Sequence, residues 1–177
     1  MAITKDTELS LRSALGLVDS ARPETLRSVA DLDAFCETYH FTGSRQRTLT
    51  EVREVRAARP ALRFLLTARD QQGASAINSV LRDAGAIPQL ARHDGLGWHL
   101  HAVAEDAPLA VRILVETAMA MSELHRSAEC DRISSCEASG CDKLVLDLSR
   151  NRSKRFCSTT CGNRMAAMHY RQRLAGK

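Results

Sequence analysis

The chain has 177 residues, 44% of them apolar, 26% charged and only 4% aromatic, with a formal net charge of +4. This is the make-up of a soluble globular protein of one or two domains, with a core built mostly from Leu, Val and Ala. The opening MAITKDTELS lacks the apolar stretch of a secretory signal, and the most apolar run, 109–121, is interrupted by Arg112 and Glu116, so neither export nor membrane insertion is expected.

Residues 1–22 place Leu9, Leu11, Leu15, Leu17 and Val18 at spacings that suit either a helix or a strand. Ser28, with Asp31 three residues on, caps a short helix to Tyr39 whose face carries Leu32, Phe35 and Tyr39. After the polar stretch 40–47, Thr48 and Glu51 form a second capping pair. The helix behind it runs to about Arg69, with Val52, Val55, Leu62, Leu65 and Leu66 inward. Pro60 lacks an amide donor and crowds the preceding turn, which predicts a kink or a break into two helices. Arg53, Arg56, Arg59 and Arg63 fall on the outer face, where most are expected to be solvated and some paired with Glu at helical spacing. Ser75 to Ala84 is a further helix with Ile77, Val80 and Leu81 inward and Gly85 as its left-handed stop.

From Ile87 the pattern alternates about Asp94-Gly95, which predicts a β-hairpin. Trp98, Leu100 and Ala102 share one face; His99, His101 and Val103 share the other. His99, His101 and His93 make a formal metal-ligand set. Isolated strand histidines are ordinarily surface residues, and no second metal is expected here. Asp106 is placed to cap a long helix from Ala107 to about Glu129, with Pro108 in its first turn and a stripe of Val111, Leu114, Val115, Ala118, Met121 and His125. Residues 126–135 are expected to join two domains. The first, 1–129, is mostly helical with one hairpin; the second is 130–177.

Six cysteines are present. Cys36 is expected to pack as a small core residue. Cys136 and Cys141 form one close pair, Cys157 and Cys161 another, with residues 142–156 between them. Two pairs at this separation fit one zinc ion held by four thiolates, a set that favours a reducing, cytoplasmic setting. Four thiolates fill the tetrahedral shell and leave no position for an activated water, so the metal is structural. Around the ligands, residues 143–147 suggest a short strand and 149–154 a turn leading to a second strand at about 155–157. Ser158 or Thr159 then caps a helix to about Leu174, with Cys161 in its first turn and Gly162 permitting a close approach. A hairpin and a helix around such a site make a treble-clef-like unit, and the whole chain is α+β.

Charge is uneven. Residues 130–177 carry ten Lys or Arg against four Asp or Glu, whereas 1–129 carry fifteen against seventeen. From Leu148 to Lys177 there are eight basic residues and no acid. Such a basic tail is the electrostatic footprint of phosphate binding. Asp147 stands out as an acid at its border and is expected to anchor Arg155 or Arg164.

The run Cys136, Cys141, Leu144, Leu146, Asp147, Ser149, Arg150, Asn151, Arg155, Phe156, Cys157 and then Cys161-Gly162-Asn163-Arg164 resembles the CGNR-type zinc finger of bacterial proteins, over about residues 130–172. Cys130 falls outside that pattern and is excluded as a ligand. Such fingers follow an N-terminal ABATE-type domain, whose Leu-Val-Asn-Thr segment is represented here by Leu17-Val18-Asp19-Ser20. The resemblance implies transcription regulation, with the finger as the DNA-binding module. The candidate nucleic-acid contacts are Arg150, Arg152, Lys154 and Arg155 about the turn and Arg164, Arg171 and Arg173 along the helix. The N-terminal domain is expected to sense a small-molecule ligand or mediate contacts, and a homodimer would extend the DNA site. No nucleophile–base pair, phosphate loop or carboxylate pair of motif quality is evident, so an enzyme is not expected. The competing reading is a zinc-dependent protein-interaction module with Leu144, Val145 or Met165 at its interface.

Overall fold

In the computed structural model, which describes residues 3–92 and 97–175, the chain divides into two compact units, Met1–Cys130 and Asp131–Lys177. The ambiguous first segment is a helix. This α1 spans Lys5–Asp19; Thr4 caps it by accepting from the Thr7 amide, and Leu11, Ala14, Leu15, Leu17 and Val18 are buried. The next helix, α2 (Val29–Thr38), begins with the predicted reciprocal cap, in which Ser28 Oγ accepts from the Asp31 amide and the Asp31 carboxylate from the Ser28 amide. At α3 (Leu49–Ala57) the cap is one-sided. Thr48 accepts from the Glu51 amide, but the buried Glu51 carboxylate turns back to the Arg45 guanidinium and the Gln46 and Arg47 amides.

Pro60 breaks the helical run. A new helix, α4 (Arg59–Thr67), starts after Ala58 with the proline in its first turn, where a missing amide costs no helical bond. Arg59 is not solvated as the outer-face pattern suggested. It is buried and donates to both Glu24 carboxylate oxygens, to Leu17 O and to Ser20 Oγ. Helix α5 (Asp70–Asp83) begins earlier than Ser75. It stops as predicted: Gly85 has φ +59°, its amide bonds Arg82 O, and the Ala86 amide bonds Leu81 O.

The centre of this unit is α6 (Leu109–Arg126), against which α1, α3, α4 and α5 pack. Its first turn is not capped by Asp106; the helix starts after Pro108 without a side-chain cap. Arg112 is buried, and its guanidinium donates to the carbonyls of Thr42, Ser44 and Ala107, which ties the polar loop to the helix. Strands β1 (Gln89–Arg92) and β2 (Trp98–His101) pair antiparallel, with Gln89 opposite His101 and Arg92 opposite Trp98. The expected turn at Asp94-Gly95, and His93, lie outside the described residues. The expected surface placement of the histidines is overturned. His99 is 6% exposed, while Trp98 at 69% and Leu100 at 41% face outward. The reason is what lies beneath: polar groups of α1 and α6 line that side, and imidazoles suit them better than indole.

In the second unit β3 (Ile133–Ser135) pairs antiparallel with β4 (Leu144–Leu146), Ile133 opposite Leu146. Two expectations fail here. Residues 133–135 belong to the hairpin instead of to a linker, and 155–157 form no strand. The closing helix, α7, spans Thr159–Ala175. The architecture is α+β: a mostly helical region with a hairpin, then a small four-cysteine unit with a hairpin and a helix. Among the described residues no helix is long and apolar enough to cross a membrane.

Candidate metal centre

The hairpin of the second unit delivers the first cysteine pair. The Cys136 amide donates to Lys143 O at 2.9 Å and the Cys141 amide to Ala138 O at 3.0 Å, which curls the loop so that both sulfurs face one point. Gly140 turns this loop at φ +71°, a conformation that a side chain would strain. The second pair is brought alongside by the Glu137 amide, which donates to Arg155 O at 3.0 Å, and by the Cys157 amide, which donates to Cys136 Sγ at 3.4 Å. Ser158 then caps α7: its Oγ accepts from the Cys161 amide at 3.2 Å, and its carbonyl from the Gly162 amide at 3.1 Å. Cys161 therefore projects from the first helical turn, as predicted.

The ligand atoms of Cys136, Cys141, Cys157 and Cys161 all lie within 4.8 Å of one another. Cys141 and Cys157 sulfurs are 3.7 Å apart, Cys157 and Cys161 sulfurs 3.6 Å. A tetrahedral ion with zinc–sulfur bonds of about 2.3 Å sets its ligands about 3.8 Å apart. A disulfide needs about 2.05 Å, and all six cysteines are free thiols. Four sulfurs this close cannot all ionise without a cation among them. Burial opposes ionisation of Cys136, yet the Cys157 and Ala138 amides that donate to it bring its thiol down to about 7. Cys157 is pushed up to about 12, first by burial and then by its three sulfur neighbours. A divalent ion binds cysteine as the thiolate, so loading this cluster would displace the thiol protons. The cluster is consistent with one zinc site. Cys130 is outside it, and Cys36 is buried in the first unit, where burial raises its thiol to about 11.

Around the sulfurs lies a small core of Cys136, Ala138, Val145 and Met165, flanked by Phe156 and Met168. Val145 is 1% exposed, and Leu144 and Met165 are buried too. The interface set proposed for a protein-docking finger is thus enclosed. A Cβ on Gly162 would meet only the Phe156 ring, at 3.4 Å, so the close approach inferred there is to a side chain at ordinary contact distance.

Asp147 does not anchor Arg155 or Arg164. It is buried and accepts from the Ser149 amide at 2.8 Å and the Lys154 amide at 2.6 Å, so it shapes the basic loop between them. The Ser149 hydroxyl, with these amides, holds its carboxyl below the usual range. Arg155 instead pairs with Glu137 and lies 5.8 Å from the Phe156 ring centre. Lys154 Nζ reaches Leu146 O at 3.2 Å. Arg150, Arg152, Arg164, Arg171 and Arg173 are exposed; Arg164 Nη2 lies 3.9 Å from Cys161 Sγ. At about 100° per residue, Arg164 and Arg171 flank the inward Cys161–Met165–Met168 stripe, of which Met165 is buried and the other two half-buried, on one side, and His169 and Arg173 flank it on the other. The seven predicted cations therefore do not share one surface.

In the first unit, Ser20 of the Leu17-Val18-Asp19-Ser20 segment donates to Leu17 O and accepts from Arg59, so its hydroxyl serves the buried Arg59–Glu24 pair. A cleft of about 830 Å³ opens between α5, the end of the hairpin and α6, lined by Val80, Ile87, Val103, Val111 and Leu114 with Asp83 at its border. No sequence signal marked it, because it is a gap between elements and not a motif.

Two family models match the chain. One, described as "CGNR zinc finger", matches residues 132–174. The other, ABATE, described as "Putative stress-induced transcription regulator", matches residues 11–128. No curated protein gives a significant match.

Proposed function

The chain belongs to the ABATE family and carries a CGNR zinc finger behind its ABATE region, and on that premise we propose that it is a DNA-binding transcription regulator acting in the cytoplasm. Cys136, Cys141, Cys157 and Cys161 hold one structural zinc. The ion supplies what so small a unit lacks in apolar core, on the order of 10–16 kcal/mol in comparable peptides. Residues 1–129 form the regulatory domain, 130–177 the finger. The protein is not an enzyme.

The observation that carries the reading is the position of the acid-free basic stretch. Its arginines stand exposed on two elements that the cysteine cluster anchors, the loop shaped by Asp147 and α7, whose first turn carries Cys161. Arg150, Arg152, Arg164 and Arg171 form the core of the contact, because all four are exposed on the loop and on one flank of α7. Arg155, held by Glu137, and Lys154, held by Leu146 O, brace the loop and touch phosphate at its edge. Arg173, on the other flank of α7, joins only where DNA wraps the helix. The open cleft in the first unit supports a small apolar ligand as the regulatory input, and a homodimer would supply a second half-site.

The test is binding of zinc-loaded protein to duplex DNA over a salt series. Arg152→Ala and Arg171→Ala should each weaken binding, reduce the logarithmic salt slope by about 0.9 and leave zinc content unchanged. A second reading has one observation in its favour. Tyr170 and Leu174 are each 57% exposed on the face of α7 opposite the inward Cys161–Met165–Met168 stripe. A finger that docks a protein would use that face, and Tyr170→Ala, not Arg171→Ala, would then abolish its interaction.

A further inference from the structure

The inward histidines of β2 meet at their tips. His99 Nε2 and His101 Nε2 are 3.1 Å apart. His99 Nδ1 lies 3.0 Å from Gly97 O. A carbonyl only accepts, so Nδ1 donates in this contact; in the neutral ring Nε2 is then the acceptor of the His101 Nε2–H, a proton that a bound ion would displace. This is the arrangement of a metal-binding imidazole, with one nitrogen fixed by a backbone carbonyl and the other aimed at the ion. Two nitrogens about 2.0–2.1 Å from a common divalent ion stand about 2.9 to 3.4 Å apart, in octahedral and tetrahedral geometry respectively. The observed separation falls in that interval.

The two rings close one side of a small chamber of about 50 Å³, which Asp6 of α1 and Glu116 and Arg112 of α6 also line. That volume holds an ion and a water. The chamber is rich in acid. Arg112 spends its guanidinium on three backbone carbonyls. Among the described residues only the four cysteines bring three or more ligand atoms within 4.8 Å, so a carboxylate must swing onto an ion held by the histidine pair. Asp6 is placed for this at the start of α1.

We propose that His99 and His101, with Asp6 as the third protein ligand, form a second metal site in the first unit, selective for a divalent transition-metal ion. Two imidazoles and a carboxylate suit Zn²⁺, Co²⁺ or Ni²⁺ over Mg²⁺ or Ca²⁺, which want all-oxygen shells. The site differs from the cysteine cluster in ligand type and lies in the other unit. It stands whether or not the finger binds DNA.

The probe is Co²⁺ added to full-length protein whose cysteine cluster has first been filled with one equivalent of Zn²⁺. A second equivalent should bind, shown by equilibrium dialysis, with a cobalt spectrum free of thiolate charge transfer. Asp6→Asn should weaken this second binding at least 10-fold, and His101→Gln about 100-fold or more, with zinc content held at one equivalent. Should His99→Gln unfold the chain, these two substitutions still decide the matter, because Asp6 and His101 are only partly buried. Absence of a second equivalent at millimolar Co²⁺ would overturn the proposal. So would retention of wild-type affinity in both variants, which would assign the metal to other surface groups. Preference for Mg²⁺ over Co²⁺ would overturn the ligand assignment.

Discussion

Replacing Asp147 with alanine separates the metal site from the loop that it supports. Asp147 touches no sulfur, yet its buried carboxylate accepts from the Ser149 and Lys154 amides at 2.8 and 2.6 Å. Hydrogen bonds to a charged group contribute about 1.5–3 kcal/mol each, and amides left unsatisfied cost more unless water reaches them. The loop between Ser149 and Arg155 is exposed, so water relieves part of the loss and the net cost is about 2–4 kcal/mol. Folding of so small a unit is coupled to metal binding, and the cost appears as a fall in zinc affinity of about 30- to 1000-fold. Asp147→Asn should fall between the two, since its one carbonyl oxygen serves one amide while its NH₂ faces the other. The assay is competition for zinc against a chromophoric chelator, with DNA binding measured at saturating zinc. Zinc affinity within threefold of wild type in Asp147→Ala would refute the claim that these two bonds hold the loop.

Acid should weaken the first unit through Glu24. Its folded carboxyl is drawn from 4.5 down to about 2, chiefly by the hydrogen bonds from Arg59. A lowered folded value means that the contribution is fully present above about pH 4.5 and fades as pH falls toward 2. Denaturant unfolding at stepped pH should show this loss, and Glu24→Gln should flatten it while lowering stability at pH 7. Gly162→Ala should keep wild-type zinc affinity or gain slightly, since the added methyl meets Phe156 at 3.4 Å and alanine favours helix by up to about 1 kcal/mol; a tenfold loss of zinc affinity would contradict that geometry. Gly43→Ala should destabilise by about 1–3 kcal/mol, read from urea midpoints, because φ is +82° there and a Cβ would lie 2.7 Å from Glu105 O.

Local chemistry was what the sequence made legible. The Ser28–Asp31 cap, the break at Pro60, the stop at Gly85 and the cysteine spacing each depend on a few adjacent residues, and each is found where expected. What escaped depends on pairing across distance. Ile133-Ser134-Ser135 is too short and too polar to announce a strand, and only Leu144–Leu146 opposite it makes it one. The alternation Trp98-His99-Leu100-His101 shows two faces but not which is covered. Hydrophobicity favours burying the indole, and the acidic chamber reverses that choice. Asp147 looked like a partner for arginine because charge is visible in a sequence and backbone amides are not. Arg59 fell on a nominal outer face that Glu24 and Ser20 in fact cover.

In the proposed function the cysteine-held finger brings its arginines to DNA. The most direct measurement is selection of bound duplexes from a random pool by zinc-loaded protein, repeated across a salt series and sequenced. Four to five exposed arginines on phosphate predict a logarithmic salt slope of about −4, an enriched sequence, and loss of both when zinc is removed. No retention at low salt, with one zinc per chain present, would contradict the account and leave the exposed Tyr170–Leu174 face of α7 as the working surface of the finger.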